Sequence, residues 1–119
     1  MGSYTKVIYV AGAFRAKPDP NDQWQQTFNI RKAENAAWNV WAIGGVALCP
    51  HLNTRNFQGS LPDDIWLKGD MELLARCDAI FMVPGWEAST GATAERAFAV
   101  ERGLVALDNQ EDLRKYLEE

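Results

Sequence analysis

Asp78-Ala79-Ile80-Phe81-Met82-Val83-Pro84-Gly85-Trp86 leads into Ser89-Thr90-Gly91-Ala92-Thr93-Ala94-Glu95, and this stretch decides the fold. The first six residues are an apolar, strand-like run. Pro84-Gly85-Trp86 reads as a turn. Ser89 opens a helix-like segment that continues through Phe98, Val100 and Arg102. A hydroxyl-rich helix start beside the carboxyl end of a strand is where open parallel sheets place ligands. Glu95 lies inside that helix, one to two turns from its start.

The same alternation extends to both sides. Lys6 to Ala11 reads as a buried strand, followed by a Gly12-Ala13-Phe14 turn. Arg15 to Gln26 holds two prolines and several polar residues and reads as a long loop. A helix is expected over about 28–43, with Ile30, Ala33, Ala37, Val40 and Trp41 on one stripe and Gly44-Gly45 as its stop. A short strand follows over 46–49, then a polar loop over 50–60. A second helix is expected over about 62–76, with Pro62 in its first turn and Asp63 and Asp64 complementing the helix dipole. Residues 78–83 form the third strand, about 90–102 the third helix, 104–107 the fourth strand and 111–117 a terminal helix. Strands alternating with helices specify an α/β domain, a small Rossmann-like (flavodoxin-like) three-layer fold. The domain is expected to span residues 1–119 and to hold a parallel sheet of four to five strands.

Composition narrows the function. The formal net charge is −4, which argues against a nucleic-acid polymer as partner, because such binders need a basic face. A small phosphorylated ligand remains compatible, since one or two arginines can serve it. No apolar run is long enough to span a bilayer, and no signal-peptide pattern opens the chain, so a cytoplasmic protein is expected. Cys49 and Cys77 lack metal spacing and read as two reduced, packed thiols. The single histidine and the absence of a CxxC pair leave no structural zinc motif.

Several side chains have both a structural and a chemical reading. Glu95 is either a solvated helix glutamate or a carboxylate facing a cleft, since Gly91, Ala92, Phe98 and Ala99 surround it at helical spacing. Asp70 sits near Trp66, Leu73, Leu74 and Cys77, so it either finds a buried partner or serves a site. Tyr9 is either core packing or a positioned hydroxyl. Ser89 caps the helix, or Ser89, Thr90, Gly91 and Thr93 bind an anion with their hydroxyls and free N–H groups. Gly12 and Arg15 would supply the other half of that cradle. Trp24, Trp86, Phe14 and His51 are either loop packing or a platform for a planar ligand.

Taken in order, Ile8-Tyr9-Val10-Ala11-Gly12, the Gly69-to-Ala79 block with Asp70, and Ser89-x-Gly91-x-x-x-Glu95 resemble the nucleoside 2-deoxyribosyltransferase-like superfamily. Leu48-Cys49-Pro50-His51-Leu52-Asn53-Thr54 with Pro84-Gly85-Trp86 is most similar to its DUF4406 branch. The resemblance implies that Glu95 is the catalytic glutamate acting at the anomeric carbon, Asp70 the sugar-side aspartate and Tyr9 the tyrosine orienting the carboxylate. It implies a homodimer or higher homo-oligomer, and chemistry that needs no metal or organic cofactor. The transferases carry an acid where this chain has Ser89, whereas the branch hydrolysing deoxynucleoside 5′-monophosphates carries serine. A hydroxyl donates to phosphate where a carboxylate would repel it. Thr93 and Ala94 replace family glycines, and the C-terminal segment that completes a neighbouring subunit's site has no clear match. N-glycosidic cleavage of a (2′-deoxy)nucleoside 5′-monophosphate is therefore the expected function. Base-to-base deoxyribosyl transfer, an NAD-type glycohydrolase, a nucleotide-binding sensor without turnover and an assembly protein remain as alternatives.

Overall fold

The computed structural model describes residues 6–14, 19, 22–53, 57 and 59–118. Its elements run β1 (Val7–Ala11), α1 (Gln23–Ala42), β2 (Val46–Leu48), α2 (Pro50–Asn53), α3 (Asp63–Ala75), β3 (Ala79–Met82), a 3-10 turn (Trp86–Ala88), α4 (Thr90–Glu101), β4 (Val105–Leu107) and α5 (Gln110–Glu118). The four strands are parallel in the order β2-β1-β3-β4. This is the three-layer α/β arrangement that the alternating pattern specified, with four strands.

The central strands are buried on both faces, which explains their unbroken apolar composition. Ile8 and Val10 pack with Ala33, Ala37 and Val40 of α1 and Leu113 of α5. Tyr9 and Ala11 point to the opposite face, with Leu74 of α3 and Ala92 and Ala99 of α4. The register sets Tyr9 beside Ile80 and Ala11 beside Met82. Cys49 and Cys77 are free and buried, as packed thiols should be.

Two elements depart from the sequence reading. Helix α1 begins at Gln23, within the segment read as a loop, because the Asp22 side chain accepts a hydrogen bond from the Gln25 N–H at 3.0 Å. That cap compensates for the polar composition of the first turn, and Trp24 then stacks on Phe28 one turn on. Within the segment read as a polar loop, 50–53 forms the short helix α2, with Pro50 at its first position.

Geometry calls for glycine at Gly44 and at Gly12. Gly44 ends α1 at φ +101°, the left-handed conformation expected of its cap. A Cβ on Gly12 would lie 2.6 Å from Val83 Cβ, so close packing of the turn after β1 onto the end of β3 requires glycine.

Helices α1 and α4 follow β1 and β3, and α3 precedes β3 antiparallel to it. All three therefore present their N-termini at the carboxyl edge of the sheet. β2 and β3 flank β1 on opposite sides. The chain goes from β1 to β2 on one side and then crosses back to β3 on the other, which opens a crevice at that edge beside β1. Among the described residues, no helix is long and apolar enough to cross a membrane.

Candidate active site

A cavity of about 710 Å³ occupies that crevice, within the usual size range of small-molecule sites. The turn after β1 supplies Gly12, Ala13 and Phe14, α1 supplies Gln25 and Asn29, and α2 supplies Pro50 and His51. Helix α3 forms a wall of Trp66, Leu67, Asp70 and Met71, with Asp63 at its end. The start of α4 contributes Ser89, Thr90, Gly91 and Glu95.

Glu95 is held from beneath by the sheet. The fully buried Tyr9 donates its hydroxyl hydrogen to Glu95 Oε2 at 2.5 Å. These residues are 86 positions apart and meet because β1 lies beside the strand that feeds α4. The other oxygen, Oε1, has no partner among the described residues, and Glu95 lines the cavity. Burial raises the Glu95 carboxyl from 4.5 to about 7; the Tyr9 hydrogen bond opposes this rise, and the nearby Asp70 charge adds to it. Burial first, then the charge of Glu95, pushes the Tyr9 phenol far above its ordinary range. Tyr9 is therefore a neutral donor at any working pH.

Asp70 is half-buried on the α3 wall and makes no hydrogen bond or ion pair among the described residues. Burial against that wall raises its carboxyl from 3.8 to about 6. The apolar stripe around Asp70 thus faces a cavity as well as the core, and the buried cap or salt bridge that could have explained it is not found. Burial thus pushes both carboxyls of the cleft upward, and the Asp70 charge adds to the rise at Glu95.

Ser89 does two things. Its Oγ accepts from the Ala92 N–H at 3.1 Å, and its carbonyl accepts from the Thr93 N–H at 3.0 Å. The N–H groups of Thr90 and Gly91 have no intrahelical acceptor, as first-turn donors do not. Ser89, Thr90 and Gly91 all line the cavity, and the Ser89 hydroxyl hydrogen and these two N–H groups are not used by the helix itself. Capping and anion binding are compatible here.

The remaining expected residues divide. Gly12, Gly91 and His51 line the cavity. His51, however, is committed: its Nε2 lies 3.0 Å from the Ala13 carbonyl, which can only accept, so Nε2 carries the proton. Its ring also meets Phe14 edge-on at 5.4 Å. Burial lowers its pKa, so it is a neutral clamp on the 12–14 turn. Thr93 and Trp86 do not line the cavity. Trp86 borders a separate depression with Lys32, Asn35 and Asn39, and it lies under Arg96, which is paired bidentately with Asp108. Trp24 is exposed and stacked on Phe28. Arg15 lies outside the described residues.

Gln25, Asn29, Asp63 and the Trp66–Leu67–Met71 wall are site residues that sequence reasoning misses. With α1 started at the Asp22 cap, Gln25 and Asn29 read as one face, four residues apart. Among the described lining residues there is no lysine or arginine, but there are three carboxylates, Asp63, Asp70 and Glu95. The positive ends of α1, α3 and α4 supply the compensating potential.

Comparisons with known proteins agree with this architecture. A family model described as a domain of unknown function (DUF4406) matches residues 6–108. The structure is similar to that of a 2-desoxiribosyltransferase from Leishmania mexicana, with a TM-score of 0.56 and 23% sequence identity over 86% of this chain. The chain spans 62% of that protein's length. No curated protein sequence matches.

Proposed function

The chain belongs to the DUF4406 domain family, and from that premise we propose that it cleaves the N-glycosidic bond of a (2′-deoxy)nucleoside 5′-monophosphate. The observation that carries the reading is the Tyr9–Glu95 hydrogen bond, which aims one carboxylate oxygen into a cavity shared with Asp70. The desoxiribosyltransferase name of the structural relative accords with chemistry on a deoxyribosyl group.

Breaking the bond between C1′ and the base nitrogen leaves the electron pair on the base and positive charge on the sugar. An ionised Glu95 beside C1′ stabilises that charge, either electrostatically or as a glycosyl ester. Asp70, when protonated, gives its proton to the departing base nitrogen. Water then adds to C1′ and loses a proton to the ionised carboxyl pair. The products are free base and a sugar 5-phosphate. No step calls on a metal or organic cofactor.

The 5′-phosphate accepts from the Ser89 hydroxyl and from the Thr90 and Gly91 N–H groups, with Arg15 as a candidate cationic contact. Remote binding of the phosphate orients C1′ over Glu95. Ser89→Asp places a carboxylate against the phosphate while retaining a helix cap. It is expected to lower kcat/KM for the monophosphate by at least about 100-fold, the scale expected when a charge-assisted hydrogen bond gives way to repulsion. The parent nucleoside should suffer far less. Equal effects on both substrates, measured by chromatography of released base, would reject the phosphate assignment.

The active form is a homo-oligomer in this reading. Trp24, Trp38 and Trp41 are 74%, 68% and 56% exposed on α1, an unusual aromatic surface for an isolated chain. Light scattering coupled to size exclusion is expected to give at least a dimer for the wild type and a smaller species for Trp38→Glu. A wild-type monomer at high micromolar concentration would contradict this.

A further inference from the structure

Gln25 and Asn29 form a polar device on the α1 side of the cavity that the proposed bond cleavage does not use. Asn29 is a buried amide, 6% exposed. Its Nδ2 donates to the Phe14 carbonyl at 3.3 Å. A carbonyl can only accept, so this contact fixes which way the Asn29 amide faces. Asn29 Oδ1 is then the atom turned to Gln25, and it accepts from Gln25 Nε2 at 3.1 Å. The orientation of Gln25 is therefore dictated by the backbone of the turn after β1, through one intermediary. Its acceptor, Oε1, has no partner among the described residues, although Gln25 lines the cavity. The Asp22 cap fixes the start of α1 through the Gln25 backbone N–H, so the side chain projects from an anchored turn.

The other polar group outside the Ser89–Asp70–Glu95 end is Asp63, at the start of α3. A carboxylate only accepts. The His51 Nε2 proton is held by the Ala13 carbonyl and is not offered to a ligand. The Trp66 indole Nε1 is buried away from the cavity surface and offers no donor to a ligand there. Asp63 and Asp70 are seven residues apart on one helix, so Asp63 stands about 10 Å along the axis from the sugar-side carboxylate. The α1 side of the cavity thus presents Gln25 Oε1 as an acceptor and the second Gln25 Nε2 hydrogen as a donor. Trp66, Leu67 and Phe14 line the same cavity and add apolar and aromatic surface to it.

We infer that this end of the cavity holds a nucleobase by its amino-bearing edge, with Gln25 Oε1 accepting from an exocyclic amine. An amine beside an acceptor ring nitrogen matches an amide's adjacent oxygen and N–H, as in 6-aminopurines and 4-aminopyrimidines. An oxo group in place of the amine would set a carbonyl against the Gln25 acceptor oxygen and leave both without partners. The inference rests on the nucleotide reading above and makes Gln25 a specificity-determining residue. Asn29 is a positioning residue, acting through Gln25.

The test compares two matched pairs of 2′-deoxynucleoside 5′-monophosphates: adenine against hypoxanthine, and cytosine against uracil. Base release is measured on the wild type, and binding is measured by calorimetry on Glu95→Gln. The amino member of each pair is expected to be favoured at least about tenfold, a conservative figure for leaving buried polar groups unpaired. Gln25→Leu should reduce that ratio to near unity. Gln25→Glu keeps an acceptor but has no hydrogen for Asn29 Oδ1 or for the ring nitrogen, and it should lose the preference as well. Equal or reversed preference in the wild type, or a preference that survives Gln25→Leu, overturns the inference while leaving bond cleavage standing. If none of the four compounds binds Glu95→Gln or releases base with the wild type, the nucleotide reading falls and this inference with it.

Discussion

Glu95→Gln is expected to reduce base release by at least about 10³-fold, the order of loss seen when a reacting or charge-stabilising group is removed from an active site. The amide is close to isosteric and can still accept from the Tyr9 hydroxyl, so the hydrogen bond beneath the site survives. Loss of activity would then report the missing charge and nucleophile. A stability measurement separates this from misfolding. The folded protein raises the Glu95 carboxyl from 4.5 to about 7, so folding favours its protonated form. That contribution is present in full below about pH 4.5 and is lost as pH rises through about 7. The substituted amide is neutral throughout. Glu95→Gln should therefore match the wild type in thermal midpoint near pH 4.5 and exceed it at pH 8. A variant that is inactive and also less stable at pH 8 would contradict the reading of Glu95 as a strained, functional carboxylate.

Asp70→Asn is expected to cost about 10²–10⁴-fold at the optimum, the usual range for a general acid, and to change the shape of the pH profile. The productive state needs Glu95 ionised and Asp70 protonated. Asp70 titrates at about 6 and Glu95 at about 7, so that state carries its single proton on the group with the lower value. The pair shares one proton between those values whichever oxygen holds it. Activity should be bell-shaped, falling below about pH 6 as both protonate and above about pH 7 as both ionise. Asp70→Asn has no proton to lose at that position, so the alkaline limb should disappear. Removing the Asp70 charge also eases ionisation of Glu95, so the acidic limb should move down. Tyr9→Phe should move it up, by about one unit, because a hydrogen bond that favours the carboxylate is gone. A profile indifferent to both substitutions would exclude the dyad.

The opening stretch was readable because its strand, turn and capped helix each carry local signals: a β-branched or apolar run, Pro84-Gly85, and Ser89 before small residues. The parallel sheet followed from strand–helix alternation. The meeting of Tyr9 with Glu95 was not local. It depends on which strands become neighbours, and only the resemblance named the pair in advance. Asp70 illustrates a limit of periodicity, because an apolar helical stripe looks the same whether it covers a core or walls a cavity. Gln25 and Asn29 were hidden by composition, since a polar, proline-containing stretch reads as loop until the Asp22 cap is recognised. Trp86 was a reasonable platform for a base by position, yet the Arg96–Asp108 pair and the 3-10 turn hold it away from the cavity.

The most direct measurement is product analysis of the wild-type protein incubated with a panel of 2′-deoxynucleoside 5′-monophosphates near pH 6.5, between the two carboxyl values of about 6 and about 7. Free base and sugar 5-phosphate should appear in equal amounts, from at least one member and only with Glu95 intact. Nucleotide bound by the protein but recovered unchanged after prolonged incubation would contradict a catalytic Glu95 and leave the cavity as a binding site.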